Sequence, residues 1–399
     1  MTVYVADKLP QEAIDELAKI GVDVHFNPAA KADDLDKGLT DADVLIVRST
    51  VVSESCIKNS PRLMLIIRAG AGVNTIDIEA ASNSGIYVAN CPGKNSIAVA
   101  ELTMGLILSL DRFLADNVND FRNGHWNKAT YSKADGLYGK TLGVIGTGQI
   151  GQEVIKRAKS FGLDVIAWSR SLTPERAETM EIKYAETPKE VADHSDILTV
   201  HLAMTPDTKE IISKEVLAAL KDGACFINTA RAGVVDEDAL YEEVQSGRLR
   251  AGLDLLSDEP EYKKGDVESR FQELENVYVS HHIGASTKQA QLSVASAAVD
   301  IVRQYLAEGR VENWLNRCEH TEAPWKLIVR HFDKPGVIAN VMSELKTADI
   351  NAQELENVIF EGKNTACCTI QLDAKPSEET INSIRTRQNE VISATLIEN

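Results

Sequence analysis

The sequence predicts an α/β protein made of two doubly wound parallel-sheet lobes and a small α+β tail, and three observations predict it. Short β-branched apolar runs alternate with stretches of helical periodicity through most of the chain, the order that gives parallel strands joined by crossover helices. Runs such as Val44-Leu45-Ile46-Val47 are apolar throughout, which suits strands covered on both faces. Beyond a polar segment at residues 317–322 the pattern becomes strand, helix, two strands, helix, strand, a βαββαβ unit of the ferredoxin-like kind.

The elements follow in order. The first lobe has strands at 3–6, 44–47, 65–68 and 87–89, with a helix at 11–20 after the first. A helical pattern over 98–121, apolar at Leu102, Leu106, Ile107, Leu110 and Phe113, bridges to the second lobe. There six strands are expected, at 142–145, 165–168, 197–202, 224–228, 251–255 and 277–280. Six strands with intervening helices match the doubly wound dinucleotide-binding (Rossmann) arrangement. An alanine-rich helical stretch at 288–307 returns the chain to the first lobe. In the tail, strands at 326–332, 352–360, 365–372 and 391–396 are interleaved with helices at 337–347 and 377–387, the first helix being announced by Pro335-Gly336.

At 399 residues the chain is expected to fold as two or three domains. Its formal net charge of -18 excludes nucleic acid and anionic membrane surfaces as partners, because the averaged field repels them. A small anionic substrate stays admissible where a cleft gathers Arg or Lys. Residues 1–7 lack a basic segment and a signal-length apolar run, and no window approaches the ~18 apolar residues of a membrane span. A cytoplasmic location is expected. The six cysteines (Cys56, Cys91, Cys225, Cys318, Cys367, Cys368) lack CxxC or metal-type spacing, so reduced thiols and no metal site are expected.

The first chemistry-bearing motif is Gly146-Thr147-Gly148-Gln149-Ile150-Gly151, a G-x-G-x-x-G directly after a strand and at the mouth of a helix. Gly146 permits the tight turn, Gly148 lets backbone approach a pyrophosphate, and Gly151 lets helix and strand pack closely. The helix N-terminus then favours the negative charge. An acid at the end of the next strand would bind the ribose 2'-hydroxyl of NAD, but that strand ends Trp168-Ser169-Arg170. Ser169 and Arg170 suit a 2'-phosphate, or Arg170 is solvated or stacks on adenine, so NAD and NADP both stay open.

Three further segments fall at the ends of the last three expected strands: Asn228-Thr229-Ala230-Arg231, Asp254 through Asp258-Glu259-Pro260, and Ser280-His281-His282-Ile283-Gly284. Open α/β sheets bind ligands at such ends, so an Arg, a Glu and a His converge from separate loops. Adjacency alone does not choose between His281 and His282.

With these segments and the fingerprint glycines, residues 3–316 resemble the D-isomer-specific 2-hydroxyacid dehydrogenases, which carry Arg, Glu and His in this chain order. The resemblance implies that His282, before Ile283-Gly284, is the general base, that Glu259 fixes its tautomer, and that Arg231 binds the substrate carboxylate and polarises the C2 oxygen. It places the cofactor against Gly146, Gly148, Gln149, Ile150, Gly151, Ser169, Arg170, Thr229 and Ala230, with Asp254 at the nicotinamide carboxamide. It also divides the chain into a flavodoxin-like substrate-binding lobe (1–98 and 285–317), an NAD(P)-binding lobe (99–284) and a regulatory domain (324–399).

Within that family, Arg48 and Arg68-Ala69-Gly70, with the Asn90-to-Ser96 stretch that includes Asn95, resemble the phosphoglycerate-oxidising branch, where matching arginines face a substrate phosphate. Residues 126–139, including Lys133, depart from that branch. The tail segment His331-Phe332-Asp333-Lys334-Pro335-Gly336 with Asn351 resembles an ACT-type amino-acid-binding domain, although Asp333 stands where Asn is usual. That implies L-serine as effector, contacted by His331 and Asn351, and a homodimer or homotetramer; a pairing module without ligand is the plainer alternative. The expected reaction is therefore oxidation of 3-phosphoglycerate by NAD in serine biosynthesis. The alternatives are an NADP-dependent glyoxylate or hydroxypyruvate reductase and a non-catalytic NAD-sensing binding protein.

Overall fold

The apolar runs of the first lobe become short parallel strands in a computed structural model, which describes residues 1–260, 265–318, 322–387 and 389–399. The chain divides into two units, Met1–Asn316 and Arg317–Asn399. The first unit holds two parallel sheets. One contains β1 (Thr2–Val5), β2 (Asp23–Phe26), β3 (Val44–Val47), β4 (Leu65–Arg68) and β5 (Tyr87–Asn90) in the order β2-β1-β3-β4-β5. The other contains β6 (Thr141–Ile145), β7 (Asp164–Trp168), β8 (Lys183–Tyr184), β9 (Ile197–Val200), β10 (Cys225–Asn228), β11 (Arg250–Leu253) and β12 (Val277–Val279) in the order β12-β11-β10-β9-β6-β7-β8. Both are doubly wound, with the strand order reversing between β1 and β3 and between β6 and β9.

Each sheet is buried on both faces. On one side of the first sheet, Val3, Val5, Ile46, Leu65 and Ile67 pack with Ala298, Val299 and Val302. These last three lie on the helix Lys288–Glu308, so the alanine-rich stretch does return to the first lobe. On the other side, Leu45, Val47, Ile66 and Val88 pack with Leu35, Cys56 and Ile57. Small side chains on the returning helix let it lie close on the strands. In the second sheet Gly252 serves the same end: a Cβ there would lie 3.2 Å from Leu106 Cβ and Leu110 Cδ1 of the bridging helix.

Three expectations need correction. β2 and β8 were not anticipated: β2 is an exposed edge strand and β8 is two residues long, and neither presents the continuous apolar run of an interior strand. The helix expected over 98–121 is two helices, Ser96–Arg112 and Leu114–Arg122, broken at Phe113 with φ 52°. The apolar positions up to Leu110 are buried against the second sheet, whereas Leu114–Arg122 buries nothing, so no packing holds the two in line.

The second unit contains β13 (Trp325–Phe332), β14 (Ala352–Ile359), β15 (Thr365–Leu372) and β16 (Val391–Glu398), antiparallel in the order β14-β15-β13-β16. With helices Val337–Thr347 and Glu378–Arg385 this is the expected βαββαβ unit. Its core joins Leu327, Val329, Val341, Leu345, Ile370 and Ile384. Residues 319–321 of the expected polar linker lie outside the described residues.

Candidate active site

The glycine turn after β6 has the packing its sequence implies. Gly146 adopts φ 101°, and a Cβ there would lie 2.5 Å from the His201 carbonyl oxygen. At Gly151 it would lie 2.0 Å from the carbonyl oxygen of Gly146. At Gly148 it would meet nothing within 4 Å. Two glycines are thus demanded by backbone contact, while the third opens onto free space at the N-terminus of the helix Gln149–Ser160. An open, amide-lined flank is what a pyrophosphate needs, so these residues fit a dinucleotide. Gln149 lies across the turn against Gly93, whose Cβ would sit 1.5 Å from the Gln149 Oε1. Ile150 packs partly on the core. Ser169 shares a 2.7 Å hydroxyl bond with Thr147, and the exposed Arg170 faces Asp207 at 3.3 Å.

At the end of β10, Asn228 shapes the next loop. Its Oδ1 accepts from the Ala230 N–H at 2.9 Å, and its Nδ2 donates to the Arg231 carbonyl at 2.9 Å. Thr229 shares a buried hydroxyl bond with Thr103. Arg231 donates to the Ala230 carbonyl at 2.6 Å, and its other terminal nitrogen lies where a Gly72 Cβ would approach to 3.0 Å. Arg231 therefore projects from the second lobe onto the glycine-rich loop of the first.

The loop after β12 carries the histidines. His282 takes a left-handed backbone, φ 51°, and its Nδ1 lies 2.9 and 3.0 Å from the two oxygens of Glu259. A carboxylate at Nδ1 requires the proton there, which leaves the Nε2 lone pair available as a base. His281 makes no such contact among the described residues. Asp254, 1% exposed, accepts from the Ser280 hydroxyl at 2.6 Å and the Ile283 N–H at 2.9 Å through Oδ1, and from the Gly284 N–H at 2.8 Å through Oδ2. In this structure Asp254 thus clamps the loop on which His282 rides.

His282 also lines a cavity of about 180 Å³ with Arg48, Arg68, Ala69, Gly70 and Asn95, the residues expected to meet substrate, and with Lys8 and Gln291. Lys133 is not among the lining residues. Arg68 packs its guanidinium onto Gly70, where a Cβ would lie 1.7 Å from Nη1, and its Nε is buried without a partner. Burial, then the neighbouring Arg231 and Arg48, push Arg68 below the usual guanidinium range. Sequence reasoning gave no role to Lys8 or Asp7, and named Asn90 and Asn228 only as members of their segments. Asp7 accepts from the amides of Arg48, Ser49 and Thr50 at 2.7, 2.9 and 3.0 Å. Burial opposes its charge, but these amides outweigh that and hold the carboxyl below its ordinary value. Asn90 donates to the Ala71 carbonyl at 2.5 Å. The signal that could have found the last three is a single polar residue closing or just following an apolar strand.

In the second unit His331 is 2% exposed and fully engaged, Nδ1 with the Phe332 carbonyl at 2.8 Å and Nε2 with Asn357 Oδ1 at 3.1 Å. Asn351 is exposed, its N–H donating to Asp373 at 2.9 Å. The two expected effector residues are thus unlike: one is open, the other is saturated from within.

Comparison with known proteins matches residues 104–284 to the model of the D-isomer specific 2-hydroxyacid dehydrogenase NAD binding domain. A hydroxypyruvate reductase of Thermotoga maritima is 40% identical over 302 residues, covering 75% of this chain and 96% of that protein. A D-3-phosphoglycerate dehydrogenase of Methanocaldococcus jannaschii is 36% identical over 355 residues, covering 88% of this chain and 66% of that protein. The chain therefore spans about two thirds of that relative's length. Among solved structures, the NAD+-bound 3-phosphoglycerate dehydrogenase of Entamoeba histolytica is similar with a TM-score of 0.66 at 26% identity, covering 79% of this chain and 99% of that one.

Proposed function

Because the chain belongs to the D-isomer specific 2-hydroxyacid dehydrogenase family, we propose that it oxidises a D-2-hydroxy acid at C2, with 3-phosphoglycerate as substrate and 3-phosphohydroxypyruvate as product. The observation that carries the substrate reading is the cavity shared by His282, Arg48 and Arg68: one base and two cations face one small volume. The names of the relatives at 34–36% identity support it. NAD, held along the turn Gly146–Gly151 and by Ser169, Arg170, Thr229, Ala230 and Asp254, would supply the hydride acceptor when bound.

The chain's own residues do the remaining work. His282 Nε2 takes the hydroxyl proton, while Glu259 keeps Nδ1 protonated and the ring oriented. Arg231 forks onto the substrate carboxylate and polarises the C2 oxygen. Arg48, Arg68 and Asn95 hold the distal phosphate, with Ala69 and Gly70 forming the wall beside it, their own N–H groups donating to the carbonyls of Val47 and Arg68. In this reading residues 1–98 with 285–317 bind substrate and 99–284 bind cofactor. Residues 324–399 form an ACT-type regulatory domain for L-serine, with Asn351 as its open contact and His331 fixing Asn357 from beneath. We place the enzyme in the cytoplasm as a homodimer or homotetramer.

The test is steady-state kinetics with 3-phosphoglycerate and NAD against hydroxypyruvate and NADPH; a preference for the second pair overturns the substrate assignment. One observation favours that second reading: β7 is followed by Ser169 and Arg170 rather than an acid, and the Arg170 side chain is 71% exposed, within reach of a 2'-phosphate.

A further inference from the structure

The substrate cavity holds a third cation that the reading above does not use. Lys8 lies three residues before the start of the helix Gln11–Lys19 that Pro10 caps, and it lines the same cavity as Arg48 and Arg68. None of these three forms a salt bridge with any Asp or Glu among the described residues. The nearest acid in sequence, Asp7, is occupied by the three amides of residues 48–50 and by the Ser49 hydroxyl at 3.1 Å. In a chain of net charge -18, three cations without acidic partners around one small volume repel one another until an anion enters. A lone carboxylate would leave two of them uncompensated. A phosphoryl group, with a charge of about −2 and three acceptor oxygens, compensates two of the three charges and offers an acceptor to each cation.

We propose that Lys8 is a specificity-determining residue that completes, with Arg48 and Arg68, a three-cation subsite for a terminal phosphate on the substrate. The inference rests on the 3-phosphoglycerate reading and deepens it. Lys8 sits on a different strand end from either arginine, so the phosphate is gripped from three directions, and its distance from His282 Nε2 sets how long a carbon chain can place C2 at the base.

The test compares wild type, Lys8→Met and Lys8→Arg in the oxidation of 3-phosphoglycerate and of unphosphorylated D-glycerate. The expected result is a roughly ten-fold fall in the ratio of the two kcat/KM values for Lys8→Met, about the worth of one charge-assisted hydrogen bond. The loss should appear in KM for the phosphorylated acid, and Lys8→Arg should recover most of it. A wild-type enzyme with clear phosphate preference and a Lys8→Met variant with the same ratio within two-fold would sink the role of Lys8 alone. A wild type with no preference for the phosphorylated acid removes the substrate reading, and the subsite with it.

Discussion

Replacing Asp254 by Asn tests whether this residue serves the cofactor or the catalytic loop. In the structure its buried carboxylate accepts three bonds, from Ser280, Ile283 and Gly284, and its carbonyl accepts from the His282 N–H at 2.6 Å. Asn can keep the two bonds on Oδ1, but it turns an NH2 toward the Gly284 N–H. One bond to a charged acceptor is lost, about 1.5–3 kcal/mol, and a buried donor is left unmatched, so a loss of about 3 kcal/mol is reasonable. The left-handed backbone of His282 stores roughly 1–2 kcal/mol, less than the clamp contributes now and comparable to what survives. The loop should therefore relax and carry the imidazole away from Glu259. At 1.36 kcal/mol per decade the upper bound is a fall of about two decades in kcat. Steady-state kinetics with a fluorescence titration of NADH would separate the cases. Full kcat with weakened NADH binding would refute the clamp and return Asp254 to a purely cofactor role.

Other consequences are equally direct. Gly151→Ala places a Cβ 2.0 Å from a backbone oxygen, so we expect a destabilisation of about 1–3 kcal/mol and loss of NADH binding by fluorescence; unchanged binding would show that the turn yields more easily than its packing implies. His282→Asn should abolish turnover while NADH still binds, and residual turnover near wild type would move the base elsewhere, with His281 the first candidate. Burial pushes His201 down to about 3, so the folded state refuses a proton that the unfolded chain accepts near 6.5. Its contribution is complete above pH 6.5 and is lost as pH falls toward 3, with a slope of at most about 1.4 kcal/mol per unit. Urea melts at pH 7 and 5 should differ by about 2 kcal/mol from this group, and His201→Gln should flatten that difference; an equal slope in the variant would assign it to other groups.

The interior of the fold was legible because burial on both faces writes itself as continuous apolar runs: Val44–Val47 and Cys225–Asn228 are buried at every position. The edges were not, since in Asp23–Phe26 only Val24 is partly buried against the core and the other three residues are exposed. The break at Phe113 was hidden because the apolar spacing runs through it while burial stops at Asp111, and Leu114–Arg122 buries no residue. The trio Arg231, Glu259 and His282 stood out through its place at successive strand ends, and the His282–Glu259 pair is formed. For Arg170 the sequence posed an ambiguity between phosphate and solvent that exposure and the pairing with Asp207 leave standing. At His331 sequence similarity pointed to an effector contact, but the buried environment that saturates the ring depends on Asn357, distant in sequence and brought near only by the antiparallel sheet.

A pattern links the residues that sequence reasoning passed over. The loops bearing Arg48, Arg68, Arg231 and His282 are each tied to a buried polar side chain at or just beyond a strand end, in three cases that of a neighbouring parallel strand and for Arg231 that of its own. Asp7, beyond β1, holds the amides that follow β3 and carry Arg48. Asn90, ending β5, holds Ala71 of the loop after β4 that carries Arg68 and Gly70. Asn228, ending β10, holds Ala230 and Arg231. Asp254, beyond β11, holds the loop of His282 after β12. Burying a polar group is unfavourable unless it is satisfied; loop amides and carbonyls satisfy Asp7, Asn228 and Asp254, and Asn90 through its Nδ2 alone, its Oδ1 having no partner. The arrangement converts that requirement into rigidity where the chemistry needs it, while Lys8, Arg48 and Arg68 form no salt bridge among the described residues. A substitution at Asp7, Asn90 or Asp254 should therefore disturb the loop of the next strand over, whereas one at Asn228 should disturb the loop that follows its own strand.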